Sequence, residues 1–351
     1  MMSENGDNDI TRRTFLWQGS VWGVGMAMAG YSGDVGAIAQ AAESTTNWAH
    51  RIGIGLYSVR DLMTDSRSYQ DTLAKLAELG YKEVEPADRT DSKGKGYAGL
   101  DPKAFRAFLD SHGLSMPSTH SSAIEGPDLE RQLEGFEIMG IKYTEVIAPS
   151  DPHAPKEGRV APPAPDRRSS GKAAGSSMPA AKTMDAVMRT VDRLNAHAQI
   201  TRKFGVKMLV RMDLDVFVPL SDQPDKMPFE VIADRTDPAA VAMQIDIGWA
   251  AVAGQDIVGM FRRNRGRYEL WHIKDAVGIH EMTAQMNLGE RRLAAYFVPV
   301  GLGQIDLKTI FASAELAGLR HFGIEQDNAA TWGDSLGAAR VNEENLVKML
   351  S

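Results

Sequence analysis

The residues best placed to do chemistry stand where the most apolar runs of the chain end. QIDIGW closes one run with Asp246, and Trp249 follows three residues later; YELWHIKD closes another with His272, Lys274 and Asp275; FGIEQD closes a third with Glu325 and Asp327. Asp246, His272 and Glu325 on one rim would form a mixed oxygen and nitrogen donor set. Such a set suits Mn²⁺, Zn²⁺, Co²⁺ or Mg²⁺, and a chain without cysteine has no thiolate site. Each residue alone has a plainer reading: a carboxylate after a strand commonly caps a helix, and a single His in an apolar run is commonly a hydrogen-bonded core residue. Three of them after three hydrophobic runs favour a joint role. His120 in PSTHSS and Glu85 in KEVEPA are placed to touch a polyhydroxylated ligand. Trp249 and Trp271 offer an apolar face to a sugar ring, or pack as ordinary core. Lys274 is placed to bind a substrate oxygen or to pair with Asp275.

A repeated unit positions these groups. A helical segment ends at glycine and a β-rich run follows at once: AELG–YKEVEPA at Gly80, DSHG–LSMPST at Gly113, EIMG–IKYTEVIAP at Gly140, RKFG–VKMLVRMD at Gly205, RNRG–RYELWHIKD at Gly266 and ELAG–LRHFGIEQD at Gly318. The residue after a helix often takes a left-handed conformation, which glycine adopts without strain. Leu73, Leu76, Ala77 and Leu79 share one helix face, as do Leu307, Ile310, Phe311 and Ala314. RIGIGLY (51–57) and VAMQID (241–246) add two strands that lack the glycine. Eight strands, each followed by a helical segment, predict an α/β fold with a parallel sheet, closed as a single (β/α)8 TIM barrel. The competing open doubly wound sheet lacks a glycine-rich phosphate loop after any strand. In a barrel, the ionisable residues above lie on the rim that carries active sites.

Outside the repeat, TRRTFLW (11–17) places two arginines before an uncharged, glycine-containing stretch (14–33), and AIA (37–39) supplies a small-residue cleavage site. Residues 1–39 read as a twin-arginine export signal. They imply the Tat machinery as a partner and a periplasmic or exported location; a retained membrane anchor is the alternative. Residues 40–50 read as a linker and 51–351 as the barrel. Residues 149–182, rich in Pro, Ala, Ser and Gly without periodicity, read as a flexible insertion after the fourth strand, either a plain appendage or a lid over the site. The 351 residues carry a net charge of -7 at pH 7, which argues against nucleic acid as a partner. The oligomeric state stays open, a homo-oligomer included.

Four phrases, DIGWAAVAGQD (246–256), RYELWHIKD (267–275), VPVGLGQIDLKTIF (298–311) and AGLRHFGIEQD (317–327), run in an order that resembles the sugar phosphate isomerase/epimerase superfamily, the xylose isomerase-like barrels. The resemblance implies a divalent metal, Mn²⁺ first, held by Asp246, His272 and Glu325. Glu325 would also serve as catalytic base, with Lys274 beside it. The chain departs from the pattern at the fifth strand. There VRMDLDVF (210–217) puts Arg211 and Asp213 over two histidines of relatives, which makes Asp213 the best substitute fourth ligand and turns Arg211 toward substrate or solvent. Glu145 is a second candidate for the fourth ligand. The implied activity is isomerisation or epimerisation of a free sugar or glycoside through an enediolate. A lyase or hydratase of 3-keto-glycosides on the same site and a non-catalytic sugar-binding barrel are the alternatives.

Overall fold

Eight short strands pair in parallel: β1 (Gly53–Gly55), β2 (Glu83–Glu85), β3 (Ser118–Ser122), β4 (Tyr143–Ile147), β5 (Lys207–Met212), β6 (Val241–Asp246), β7 (Leu270–Ile273) and β10 (His321–Ile324). Their order around the sheet is β2-β1-β10-β7-β6-β5-β4-β3. Its two ends, β2 and β3, meet at a parallel bridge between Glu83 and Ser115, which leaves a nearly closed barrel. This computed structural model describes residues 48–86, 97–122, 127–147 and 181–351. Residues 1–39, read above as an export signal, and residues 149–180 of the insertion lie outside them. Among the described residues no helix is long and apolar enough to cross a membrane.

The six glycines of the repeat all take a positive φ, from 67° at Gly113 and Gly205 to 108° at Gly80. Each therefore turns the chain from helix to strand where a β-carbon would be strained. The first helix, Ser66–Glu78, starts at Asp65, whose carboxylate accepts from Ser68 N at 2.8 Å while Asp65 N donates to Ser68 Oγ at 2.9 Å. It buries Leu73 and Leu76 against the barrel. The face expected over 307–314 is split between two short helices, Leu307–Phe311 and Ala314–Ala317, both buried on that side. The third strand begins later than the run LSMPST suggests. Pro117 has no N–H to give a ladder, so the strand proper starts at Ser118.

Two features depart from the expected outline. An antiparallel pair, β8 (Asp275–Val277) and β9 (Tyr296–Val298), follows β7 on the rim. Trp48, placed in the linker by the sequence, packs edge-on against Phe322 at 5.9 Å between ring centroids. The packed unit thus includes residues before 51.

Side chains alternate along the strands, as a pleat requires. On β7, Trp271 and Ile273 face the helices, and Leu270 and His272 face the interior. Tyr143, Leu209, Ala242 and Leu270 form a small apolar cluster inside the barrel. Gly53, Gly55 and Gly323 line the interior on β1 and β10. A β-carbon on Gly55 would stand 3.0 Å from Glu325 Oε1. This bare wall is what admits large charged side chains on that side of the barrel.

Candidate active site

Asp246 is the last residue of β6 and also caps the helix Ile247–Val252: its Oδ1 accepts from Trp249 N at 2.9 Å. The cap explains the D-x-x-W spacing, since a capping side chain reaches the amide three residues on. The other oxygen, Oδ2, faces the barrel interior. His272 is on the neighbouring strand, in register with Asp246 and with Gly323. Glu325 follows β10. His272 Nδ1 lies 3.5 Å from Glu325 Oε2 and 3.9 Å from Asp246 Oδ2. One donor atom from each of the three residues falls within 4.8 Å of the others. Asp246, His272 and Glu325 thus lie together at one end of the barrel.

The far side of His272 fixes its chemistry. Nε2 sits 2.6 Å from Glu85 Oε1, and an ionised carboxylate only accepts, so Nε2 carries the hydrogen. Burial would lower the ring's pKa, but Glu325, Glu85 and Asp246 outweigh it and raise the value to about 9, so Nδ1 becomes a bare lone pair only once a cation displaces its proton. Nδ1 is buried and has no hydrogen-bond partner among the described residues. A carboxylate behind a histidine that turns its other nitrogen to an acidic cradle is the usual support of a metal-ligating imidazole. The donor chemistry, the orphaned nitrogen and the two carboxylates therefore fit a divalent cation. Asp246 Oδ2 is also without a hydrogen bond of good geometry, although a cation approaches it closely.

That cation is Lys274. Its Nζ lies 2.7 Å from Asp327 Oδ1, 2.9 Å from Asp246 Oδ2 and 3.0 Å from Glu325 Oε2. Gly248 makes room for it; a β-carbon there would meet Lys274 Cβ at 2.6 Å. Lys274 does not pair with Asp275, as the sequence allowed. Asp275 is bound by the amides of Gly301 and Gly303 at 2.9 and 3.0 Å and anchors the VGLG turn. Burial disfavours the Lys274 charge, but Asp246, Asp327 and Glu325 outweigh it and hold its pKa well above the usual lysine value. Burial pushes the Asp246 carboxyl up to about 6, against the pull of Lys274 and His272. Burial would likewise raise Glu325, but Lys274, His272 and Arg211 bring it below the carboxylate range.

Beneath this cradle Glu85 is a hub. It accepts from His272, from Ser118 Oγ, from His120 Nε2 at 3.0 Å and from Gln244 Nε2 at 2.8 and 3.0 Å. Burial alone would raise its pKa, yet His120 and His272 hold the carboxyl well below its usual value. Glu85 and His120 were expected to touch substrate. Both are almost fully buried, with their polar atoms spent on one another and on Gln244, so they support the floor of the site. Gln244 was missed. Its signal was its place two residues before Asp246 on one strand, which puts both on the same face.

Three other expectations change. Trp271 is fully buried and stacks on Phe261 at 5.1 Å, with its Nε1 donating to Tyr268 O, so it packs the helix layer and not a ligand. The alternation that turns His272 inward turns Trp271 outward. Asp213 lies outside the donor group: its Oδ2 accepts from Arg211 Nε at 2.9 Å and from Nη2. Arg211 faces the interior above Gln244, half-buried, with its charge committed to Asp213. Glu145 is across from His120 in register, and its Oε2 is buried without a hydrogen-bond partner among the described residues. Trp249 stays at the rim, edge-on to Phe297 at 4.8 Å.

No family model and no curated protein matches the chain. Solved structures do. A sugar phosphate isomerase/epimerase from Parabacteroides distasonis superposes with a TM-score of 0.61 at 17% identity, over 84% of this chain and 93% of that one. A xylose isomerase-like TIM barrel protein from Mycobacterium smegmatis in complex with magnesium gives 0.54 at 17% identity, over 86% and 97%. A D-allulose 3-epimerase from Methylomonas sp. in complex with D-allulose gives 0.52 at 13% identity, over 84% and 95%. At this identity the likeness is one of architecture, and the chain has the fold of the xylose isomerase-like TIM barrels.

Proposed function

We propose that the chain is a divalent-metal-dependent enzyme that isomerises or epimerises a free sugar or glycoside through an enediolate. The observation that carries this reading is the orphaned His272 Nδ1, held by Glu85 from behind and aimed between Asp246 Oδ2 and Glu325 Oε2. Asp246, His272 and Glu325 would hold the cation, Mn²⁺ first among Mn²⁺, Zn²⁺, Co²⁺ and Mg²⁺; when bound it supplies Lewis-acid stabilisation to oxygens that gain negative charge as the carbon acid ionises. Neighbours that bind magnesium and D-allulose on the same architecture support the metal and the carbohydrate.

The chain's own groups account for the rest of the chemistry. Glu325, whose Oε2 stands 3.5 Å from His272 Nδ1 in the cradle, would also serve as the base that takes the proton next to the substrate carbonyl and returns it. Lys274, held on Asp327 at the edge of the cradle, supplies a hydrogen-bond donor to a substrate oxygen. Trp249 and Phe297 form an apolar wall that excludes water on that side and offers a face to the sugar ring. The Arg211–Asp213 pair puts a guanidinium, not a second base, on the β5 side. That favours a one-base reaction, and keeps a lyase acting on 3-keto-glycosides as the second reading.

The test is solvent exchange. Mn²⁺-loaded protein incubated with free and 3-keto sugars in D₂O should place deuterium on the carbon beside the carbonyl, and Glu325→Gln should abolish it. No incorporation with any sugar, in protein shown to hold metal, would leave a binding barrel instead. Product identity separates isomer from elimination product. Residues 1–39 carry the further reading that the folded enzyme is exported by the twin-arginine route. A mature N-terminus at Gln40 in the periplasm would support it, and retention of the intact chain in the cytoplasm would overturn it.

A further inference from the structure

Lys274 is the one group of the cradle whose place conflicts with its proposed cargo. Its Nζ stands 2.9 Å from Asp246 Oδ2 and 3.0 Å from Glu325 Oε2, the two oxygens that a divalent ion would share. Two cations cannot use the same two oxygens in a buried site. Their mutual repulsion at low effective dielectric far exceeds what it would be in water. The ammonium has a second berth. Asp327 Oδ1 is its shortest partner at 2.7 Å and belongs to a side chain that is 28% exposed, whereas those of Asp246 and Glu325 are 0% and 7% exposed. The rings of Trp249 and Phe297, 5.6 and 5.3 Å from Nζ, favour a cation anywhere along that path. Gly248 leaves the lysine stem free of a β-carbon that would press on it.

We infer that the Lys274 ammonium is a tethered stand-in for the divalent cation: it neutralises Asp246 and Glu325 while the site is unloaded and withdraws to Asp327 when metal enters. The inference rests on the metal reading above. It gives the lysine an energetic consequence opposite to that of a ligand or a simple structural residue. The unloaded barrel is protected from the repulsion of two buried carboxylates, and the metal is bound more weakly than the naked cradle would bind it. A resident cation also sets a threshold, because only an ion able to displace an ammonium from two carboxylates is retained.

Titration calorimetry of chelator-stripped protein with MnCl₂ tests this, with thermal unfolding of the stripped and loaded forms alongside. Lys274→Met removes the charge and keeps the stem; Lys274→Gln, a second variant, keeps a donor to Asp327 if the first misfolds. The expected result is Mn²⁺ binding tighter by about tenfold or more in both variants. Their metal-free forms should melt below metal-free wild type, with the gap narrowing once Mn²⁺ is bound. Binding by the variants where wild type binds none would support the same conclusion. Equal or weaker Mn²⁺ binding in the variants, with wild type binding normally, overturns the stand-in and leaves the metal site in place. No Mn²⁺ bound by wild type or by either variant removes the metal reading, and the stand-in falls with it.

Discussion

At the lower end of the barrel, where the strands begin, Glu83 accepts from His321 Nδ1 at 2.9 and 3.0 Å and from Arg51 at 3.2 Å, and Glu269 accepts from Tyr143 Oη at 2.8 Å and from Lys207 Nζ at 2.5 Å. At the upper end Glu85, Asp246, Glu325, His272 and Lys274 use nearly the same residue types. Among the described residues, none of the six lower side chains has a buried polar atom without a partner, whereas the upper groups leave His272 Nδ1 and Asp246 Oδ2 without hydrogen bonds. Between these two groups the residue types are nearly the same, and hydrogen-bond satisfaction is what differs. A closed network tightens the strand ends. An open one leaves the donor atoms that the proposed metal would use.

The sharpest way to break this comparison is to remove one histidine from each end. On the proposed metal reading, His272→Ala should abolish stoichiometric Mn²⁺ binding, a loss larger than the roughly 10–100-fold expected for a supporting residue. His321→Ala should leave metal content unchanged and lower only the melting temperature. Metal analysis after dialysis decides. Equal metal loss in both, or in neither, would mean that the open cluster is not a metal site.

The carboxylates behind the histidines give the next effect. Glu85→Gln keeps an acceptor for His272 but loses the charge that orients the ring, and Mn²⁺ affinity should fall by about 10-fold or more. Glu83→Gln, its counterpart two residues earlier on the same strand, should not change that affinity. Titration of both stripped variants with MnCl₂ is the measurement. A smaller effect is expected from Tyr143→Phe, which leaves one oxygen of Glu269 short of a donor at the closed end. Its cost should be about 1.5–3 kcal/mol in chemical denaturation, the range for a hydrogen bond to a charged group, with metal binding untouched.

How much of this the sequence carried depends on the distance over which each feature is set. The glycine at each helix end and the apolar run after it are local, so the eight strands and their order of use were legible. That Asp246, His272 and Glu325 lie near one another could be expected because each stands at or next to the end of its own strand, and a barrel sends all strand ends to one rim. Glu85 as a hub was not, because its partners Ser118, His120, Gln244 and His272 come from three other strands whose register no local pattern records. Trp271 was misread although the information was present: it neighbours His272, so the pleat sends it the other way. The Arg211–Asp213 pair was hidden by treating the two as substitutes for separate residues when they satisfy each other. The strands β8 and β9, three residues each, stand outside the helix–glycine–strand repeat that marked most of the barrel strands.

The smallest effect comes from a group at neither end, and it serves as the control for both. Asp65 caps the helix Ser66–Glu78, and the amide and hydroxyl of Ser68 hold its carboxyl below the usual aspartate value. A group whose folded pKa is depressed stabilises the fold above its unfolded pKa, about 3.9 for aspartate. That contribution is lost as pH falls through the folded value, because the unfolded state then binds the proton first. Asp65→Asn keeps a capping oxygen and removes the titration, so its stability should decline less steeply than that of wild type below about pH 4. Mn²⁺ affinity at neutral pH should be the same in both. A change in metal binding in this variant would show that the cradle responds to stability anywhere in the barrel, and the contrast between its two ends would then lose its meaning.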